Sequence, residues 1–389
     1  MQLPEGEALI ERLLSEPGAC ADLAGLFRDA DFSAALERLA ADWGLASPDA
    51  VASERLEQRL FVHRPVAPPA GWLPIAVAPG EDAVDWAFFG ARRLTESFFG
   101  ESLPPVRSSP LNRFLRLRTP LAALEGLAGP APDGLVFHMS RCGSTLVGRM
   151  LGAAQGSTVL SEAAPIDAVV RSGLPWARRV VLLRGVVAAL GRPRGAGDAR
   201  LFLKLDCWHA MAFDLFREAF PRTPWIHLHR APEEVLVSHA RDVGMQMVPQ
   251  VVAPSVFGLD EPAVPDADYR ARVLAAIGQA MLAAKARDGA GLLVGYEALP
   301  TAVTERILPH FGWTPTTEEA EAIGAAAAID AKAAGRVFRP DGAGKRAEVD
   351  AAIRTACARW LDDLHARLGT ASIGNEGEGV EGARLGLGG

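Results

Sequence analysis

Cysteine is scarce in this chain. Four occur among 389 residues, Cys20, Cys142, Cys207 and Cys357, widely spaced and without a CxxC pair. That distribution argues against a disulfide framework or a cysteine zinc site and fits a reducing compartment. No run of about 18 apolar residues occurs, so no membrane span is predicted. The first residues, Met-Gln-Leu-Pro-Glu-Gly-Glu, carry neither a basic start nor an apolar stretch. No signal peptide is read, and the expected location is cytoplasmic. Positive charge is not in excess either: 40 Lys and Arg against 47 Asp and Glu leave a net charge of −7. This balance argues against a nucleic-acid partner. It leaves room for an anionic small ligand, which a few local cations can hold. Internal repeats are absent as well.

What remains is the composition of an ordinary globular protein, 49% apolar and 22% charged. Apolar residues at helical spacing predict helices over Glu5–Leu14, Phe32–Trp43 and Val84–Phe99. In the last of these, Trp86, Phe89 and Phe99 read as a helix-packing core. Between them, Val62–Gly80 is rich in proline and glycine and is expected to be loop or extended. Residues 104–133 are dense in Pro and Gly and read as a linker around a short helix, Leu111–Leu127. Beyond it, short apolar runs alternate with helical stretches: Leu135–His138, Val180–Leu183, Leu201–Leu205, Trp225–His229 and Gly291–Gly295. Runs without polar alternation suit strands buried on both faces, and the pattern predicts an α/β domain with a parallel sheet. Ile323–Ala334 reads as a plain helix. The expected organisation is a mainly helical domain over 1–103, the linker, an α/β domain over 134–369, and a disordered tail over 370–389.

Two segments carry chemistry. In Leu135-Val-Phe-His-Met-Ser-Arg-Cys-Gly-Ser-Thr-Leu, a buried strand ends near His138, a turn follows through Arg141, Cys142 and Gly143, and Ser144 opens a helix. Backbone N–H groups of such a turn converge at the positive end of the helix dipole, which makes an anion cradle. Gly143 permits close approach, Ser144 and Thr145 add hydroxyls, and Arg141 adds a fork of donors. A Walker A loop would need Gly at 138 and Lys at 144, where this chain has His138 and Ser144. The G-x-G-x-x-G fingerprint is missing too.

The second segment, Trp225-Ile-His-Leu-His-Arg-Ala-Pro-Glu-Glu-Val-Leu-Val-Ser-His-Ala-Arg, repeats the architecture. Arg230 follows the strand, Pro232 opens a helix, and Ser238 lies about 9 Å along its axis. A ligand across the strand end could meet both. Taken singly, Arg230 also fits a surface ion pair with Glu233 or Glu234.

These two segments resemble the co-substrate-binding elements of sulfotransferases that use 3′-phosphoadenosine 5′-phosphosulfate (PAPS). The first is similar to their 5′-phosphosulfate loop in the form R-x-G-[ST]-T-L. The second is similar to the R-x-P…S element that holds the 3′-phosphate. The resemblance covers residues 134–365 and implies a P-loop-like, three-layer α/β domain with helices on both faces of the sheet. It also implies PAPS as co-substrate, adenosine 3′,5′-bisphosphate as product, no metal, and a small-molecule or carbohydrate acceptor. Arg141, Cys142, Gly143, Ser144, Thr145, Arg230 and Ser238 would then bind the nucleotide, with Lys345 and Arg346 as weaker candidates. Those two lie in Arg336–Arg346, which departs from the family's R-K-G-x-x-G form. Lys204 resembles the strand-end lysine at the transferring group, and Arg141 would share that work. For the base, Glu162 resembles the glutamate of tyrosylprotein and heparan-type sulfotransferases, although Ser161 also reads as an N-cap with Glu162 in a first helical turn. Asp206 stands where cytosolic small-molecule sulfotransferases have a histidine. His209, His227, His229 and His239 read as satisfied structural histidines. A divergent nucleotide phosphotransferase and a non-catalytic bisphosphate binder are the alternatives.

Overall fold

The structure is a computed structural model and describes residues 5–194, 197, 199–260, 264–328 and 342–373. The chain divides into two compact units, Met1–Ala131 with Glu162–Ala199 and Glu218–Phe220, and Pro132–Ser161 with Arg200–Arg217 and Pro221–Gly389.

The first unit opens with four helices, Glu5–Ser15, Pro17–Ala24, Asp29–Asp42 and Asp49–Glu57. They bury Leu9, Leu13, Phe32 and Leu36, the apolar positions that predicted the first and third of them. A four-stranded sheet follows: β1 (Phe61–His63), β2 (Trp72–Ala78), β3 (Ala83–Phe88) and β4 (Arg116–Thr119), in the order β1-β4-β3-β2. This corrects the helix expected over Val84–Phe99. β2 and β3 form an antiparallel pair with Trp72 opposite Phe88, the rings 5.5 Å apart. Trp86 donates its indole N–H to Thr119 Oγ1 at 3.0 Å. Gly90, at φ +56, takes the chain out of any helical path. The helix expected over Leu111–Leu127 is likewise broken into Pro110–Phe114, β4 and Ala122–Glu125. Leu117 of β4 pairs with both Trp86 and Val62, and Pro120 bars a helix from running through. Val180–Leu183 is not a strand but part of the helix Trp176–Leu190. That helix buries Val180, Leu182, Leu183, Val186 and Val187, so its apolar run reflects burial on most sides rather than a sheet.

The second unit is α/β, a parallel sheet flanked by helices, as expected for this part of the chain, but residues 162–199 of the domain expected over 134–369 fall in the first unit. The parallel sheet's strands are β5 (Gly134–His138), β6 (Ser157–Ser161), β7 (Arg200–Lys204), β8 (Trp225–His229) and β9 (Leu292–Gly295), in the order β6-β7-β5-β8-β9. All pairings are parallel. Every residue of β5, β8 and β9 is buried, as unalternating apolar strands require. Phe137 packs among Phe213, Phe216 and Trp225, with ring centroids 5.6–6.2 Å apart; truncating it to alanine should cost about 3–5 kcal/mol. The chain leaves β5 toward β6 on one side and later crosses to β8 on the other. Such a reversal opens a crevice outside the strands' carboxyl ends. Part of the helix expected over Ile323–Ala334 lies in Thr317–Ala327, and 329–334 fall outside the described residues. The helix Asp362–Ile373 takes in the first four positions of the expected tail, and the rest lies outside the described residues. No described helix is long and apolar enough to cross a membrane.

Candidate functional site

The site grows from the end of β5. Three of four successive turn residues have positive φ: Ser140 at +76°, Arg141 at +53° and Gly143 at +87°. Two of them are not glycine, and holding each there costs about 1–3 kcal/mol, so surrounding contacts must enforce the shape. They do. Leu228 of β8 accepts from Met139 N at 3.1 Å and from the Cys142 thiol at 3.2 Å. Ser140 N donates to His138 Nδ1 at 3.1 Å, and Arg230 N to Met139 Sδ at 3.2 Å. Gly143 is the N-cap of the helix Ser144–Ala153. A Cβ there would stand 2.7 Å from Leu299 and 3.0 Å from the Tyr296 ring, so both the φ and the close packing require glycine. The backbone is thereby held in one shape at the N-terminus of this helix, where an anion is favoured in general.

β8 delivers the second element to the same edge, because β5 and β8 are neighbouring parallel strands. Arg230, 4% exposed, lies with NH1 3.5 Å from the Arg141 carbonyl oxygen. Its guanidinium stacks on Tyr296, 3.8 Å from the ring centroid. Its Nε and NH2 both donate to Glu234 Oε2, at 2.8 and 2.6 Å. The ion pair anticipated with Glu233 or Glu234 thus exists, but it is buried rather than on the surface. Ser238 is buried on the same helix, Pro232–Arg241. Arg141 donates to the backbone oxygen and the carboxylate of Asp242, both at 2.7 Å.

Lys204 closes the group. It ends β7, in register with Val136 and Ser161, and is 1% exposed. Its stem passes the helix at Gly148, where a Cβ would lie 3.3 Å from the lysine Cδ. Lys204 and Arg230 both act on the Cys142 thiol, yet burial dominates and pushes it up to about 12. A neutral, buried thiol is a packing group and a hydrogen-bond donor, not a nucleophile. Asp206 is buried beyond β7 at the head of the turn Cys207–Ala212, with its Oδ2 3.7 Å from His209 Nε2. Sequence reasoning passed over this pairing, although the i, i+3 spacing was visible.

Glu162 follows Ser161, the residue in register with Lys204. It is the first residue past β6, half-buried, with φ +50°; it belongs to the first compact unit. Ser161 is not an N-cap but the buried last residue of β6; Ala163 caps the helix Ala164–Val170. Lys345 is buried and Arg346 exposed on the short helix Gly342–Ala347. Arg346 pairs with Glu234. The remainder of the loop, 336–341, lies outside the described residues.

Two of the histidines expected to be satisfied have ring contacts on at least one nitrogen. His239 pairs with Gly244 N and Gln246, and His229 Nε2 meets Ser372 Oγ at 2.9 Å. Burial and His365 hold His229 down at about 4. His227 departs from the expectation: neither ring nitrogen meets a hydrogen-bond partner among the described residues. Burial and then His229 and His138 hold it well below its ordinary value, so it stays neutral.

No protein-family model matches the chain, and no curated protein matches it. Solved structures do. The sulfotransferase STF1 from Mycobacterium tuberculosis H37Rv is similar at 16% identity and a TM-score of 0.40, over 61% of this chain and 78% of that one. STF9 from Mycobacterium avium is similar at 14% and 0.41, over 60% and 77%. The sulfotransferase domain of the Synechococcus PCC 7002 olefin synthase is similar at 17% and 0.36, over 63% and 95%.

Proposed function

We propose that this chain transfers the sulfuryl group of PAPS to a hydroxyl acceptor. The observation that carries the reading is the convergence of two anion-suited elements at one sheet edge, with Arg230 NH1 3.5 Å from the Arg141 carbonyl oxygen. A single nucleotide with phosphates at both ends needs two such elements side by side. The residues fit it. The turn 140–143 is held in one shape before a helix, Lys204 and Arg230 act on the buried Cys142, and Arg141 precedes it in the turn.

In this reading the N–H groups and hydroxyls of Cys142, Gly143, Ser144 and Thr145, with Arg141, hold the 5′-phosphosulfate. Arg230 and Ser238 hold the 3′-phosphate, and Lys345 and Arg346 approach from the last part of the domain. The acceptor oxygen forms a bond to sulfur as the bond from sulfur to the bridging phosphate oxygen breaks. Lys204 offsets charge on that oxygen, and the acceptor proton passes to a carboxylate, Glu162 or Asp206. The products are a sulfate ester and adenosine 3′,5′-bisphosphate. Positioning and charge offset do most of the work, as they do in phosphoryl transfer.

Thermal shift with adenosine 3′,5′-bisphosphate, ATP with Mg²⁺, and GTP tests the nucleotide. Stabilisation by the bisphosphate is expected; stabilisation by ATP alone overturns the reading in favour of a phosphotransferase. Transfer of ³⁵S from labelled PAPS to a panel of hydroxyl acceptors tests turnover. Binding without transfer to any acceptor leaves a bisphosphate-binding protein.

A further inference from the structure

Glu234 is a buried carboxylate that the proposed chemistry does not use. It is 5% exposed, on the first turn of the helix Pro232–Arg241. Acidic residues are favoured there by the helix dipole, but an exposed one would serve that end as well. What sets Glu234 apart is its two oxygens. Oε2 grips Arg230 side-on, through Nε at 2.8 Å and NH2 at 2.6 Å. Oε1 takes NH1 of Arg346, which comes from a helix 112 residues further along the chain. A side-on grip fixes the plane of a guanidinium, and Tyr296 stacks on that plane at 3.8 Å. Gly342, the first residue of the Arg346 helix, lies so close that a Cβ would meet Glu234 Oε1 at 2.8 Å. Arg241 of the same helix as Glu234 reaches Glu348, just past the end of the Arg346 helix, at 2.8 Å through Nε, a second ion pair between the two segments. Two guanidiniums would repel one another if brought together alone, and the carboxylate between them removes that obstacle.

Resting on the nucleotide reading above, we infer that Glu234 is the positioning residue of the 3′-phosphate site. By bridging Arg230 and Arg346 it converges both on one phosphate, and so makes the site prefer nucleotides that carry a 3′-phosphate over those that do not. Glu234 touches no ligand in this account. It acts through the two arginines.

The test is isothermal titration of the full chain with adenosine 3′,5′-bisphosphate and with adenosine 5′-monophosphate, on wild type, Glu234→Gln, Glu234→Asp and Arg346→Gln. Thermal unfolding of each checks that it folds. Wild type should bind the bisphosphate at least tenfold more tightly than the monophosphate. Glu234→Gln should shrink that ratio about tenfold, through the bisphosphate alone, and Glu234→Asp should recover part of it. Arg346→Gln changes an exposed side chain and so retains the fold. It should shrink the ratio severalfold and add little on top of Glu234→Gln, because both remove the same bridge. A wild type without preference for the bisphosphate overturns the nucleotide reading itself. A wild type that prefers it, with the ratio unchanged or increased in Glu234→Gln and Arg346→Gln, overturns the role of Glu234 and leaves that reading standing.

Discussion

Arg230 NH1 lies 3.5 Å from the carbonyl oxygen of Arg141, across 89 residues of chain. Neighbouring parallel strands β5 and β8 bring the two together, since each segment leaves its strand at the same edge. A carbonyl beside a guanidinium also orients it, and Glu234 and Tyr296 add two further constraints. Arg230 is thus pre-set in one geometry before any ligand arrives, which lowers the ordering cost of binding.

Replacing Arg230 by alanine should therefore have two separable effects. Affinity for adenosine 3′,5′-bisphosphate should fall by at least tenfold, read by titration calorimetry, because a phosphate loses a charged partner. Stability should fall by about 1–3 kcal/mol, read by urea unfolding, because Glu234 keeps its buried charge and Arg346 but loses its buried partner. In Arg230→Ala/Glu234→Ala much of the stability should return while the affinity does not. Unchanged affinity in the single variant counts against the second anion element.

Gly143→Ala should destabilise the protein by about 1–3 kcal/mol, since a side chain at φ +87 is strained and its Cβ collides with Leu299 and Tyr296. Gly324→Ala makes the contrast. That glycine lies inside the helix Thr317–Ala327 with nothing within 4 Å of an added Cβ. Alanine there should stabilise by about 0.5–1 kcal/mol. Differential scanning calorimetry of the pair reads the difference in sign.

The parts of the site that were legible are the local ones. His138 to Ser144 and His229 to Ser238 are strand–turn–helix passages whose signals, a buried run, a glycine or proline and a polar start, lie within ten residues of each other. Val84–Phe99 misled because Val84, Phe88, Leu94 and Phe98 mimic a helical period, while the pairing that makes 83–88 a strand depends on β2 and β4. Val180–Leu183 misled because four apolar residues fit a buried helix as well as a strand. The spacing of Arg230 and Glu234 was readable. The burial of that pair and the arrival of Arg346 were not, because both are consequences of tertiary packing.

The buried imidazoles make stability fall in acid. His229 titrates near 4 in the folded protein against an ordinary value of 6.5, so between those values the unfolded chain binds a proton that the folded one refuses. Stability from this residue is complete above pH 6.5 and declines as pH drops toward 4, by on the order of 3 kcal/mol. His227, lowered by the same causes, adds in the same direction. Urea midpoints should fall between pH 7 and pH 5, and His229→Gln, which can still meet Ser372, should flatten that slope. A variant with the slope of wild type would show that the acid sensitivity arises elsewhere.

In the proposed transfer the acceptor's proton passes to one of two carboxylates, which differ in their surroundings. Asp206 is buried and sits 3.7 Å from His209, as a group that supports its own turn would. Glu162 is half-buried and held at φ +50, where a non-glycine residue is strained, and such strain gathers at functional positions. Glu162→Gln should therefore lower kcat by two to four orders of magnitude, the usual worth of a general base, and leave bisphosphate affinity within a fewfold of wild type. Asp206→Asn should lower the melting temperature more than it lowers kcat. The reverse pattern in paired turnover and melting measurements would assign the base to Asp206. Full activity in both variants would reject both carboxylates and require the acceptor to bring its own proton sink.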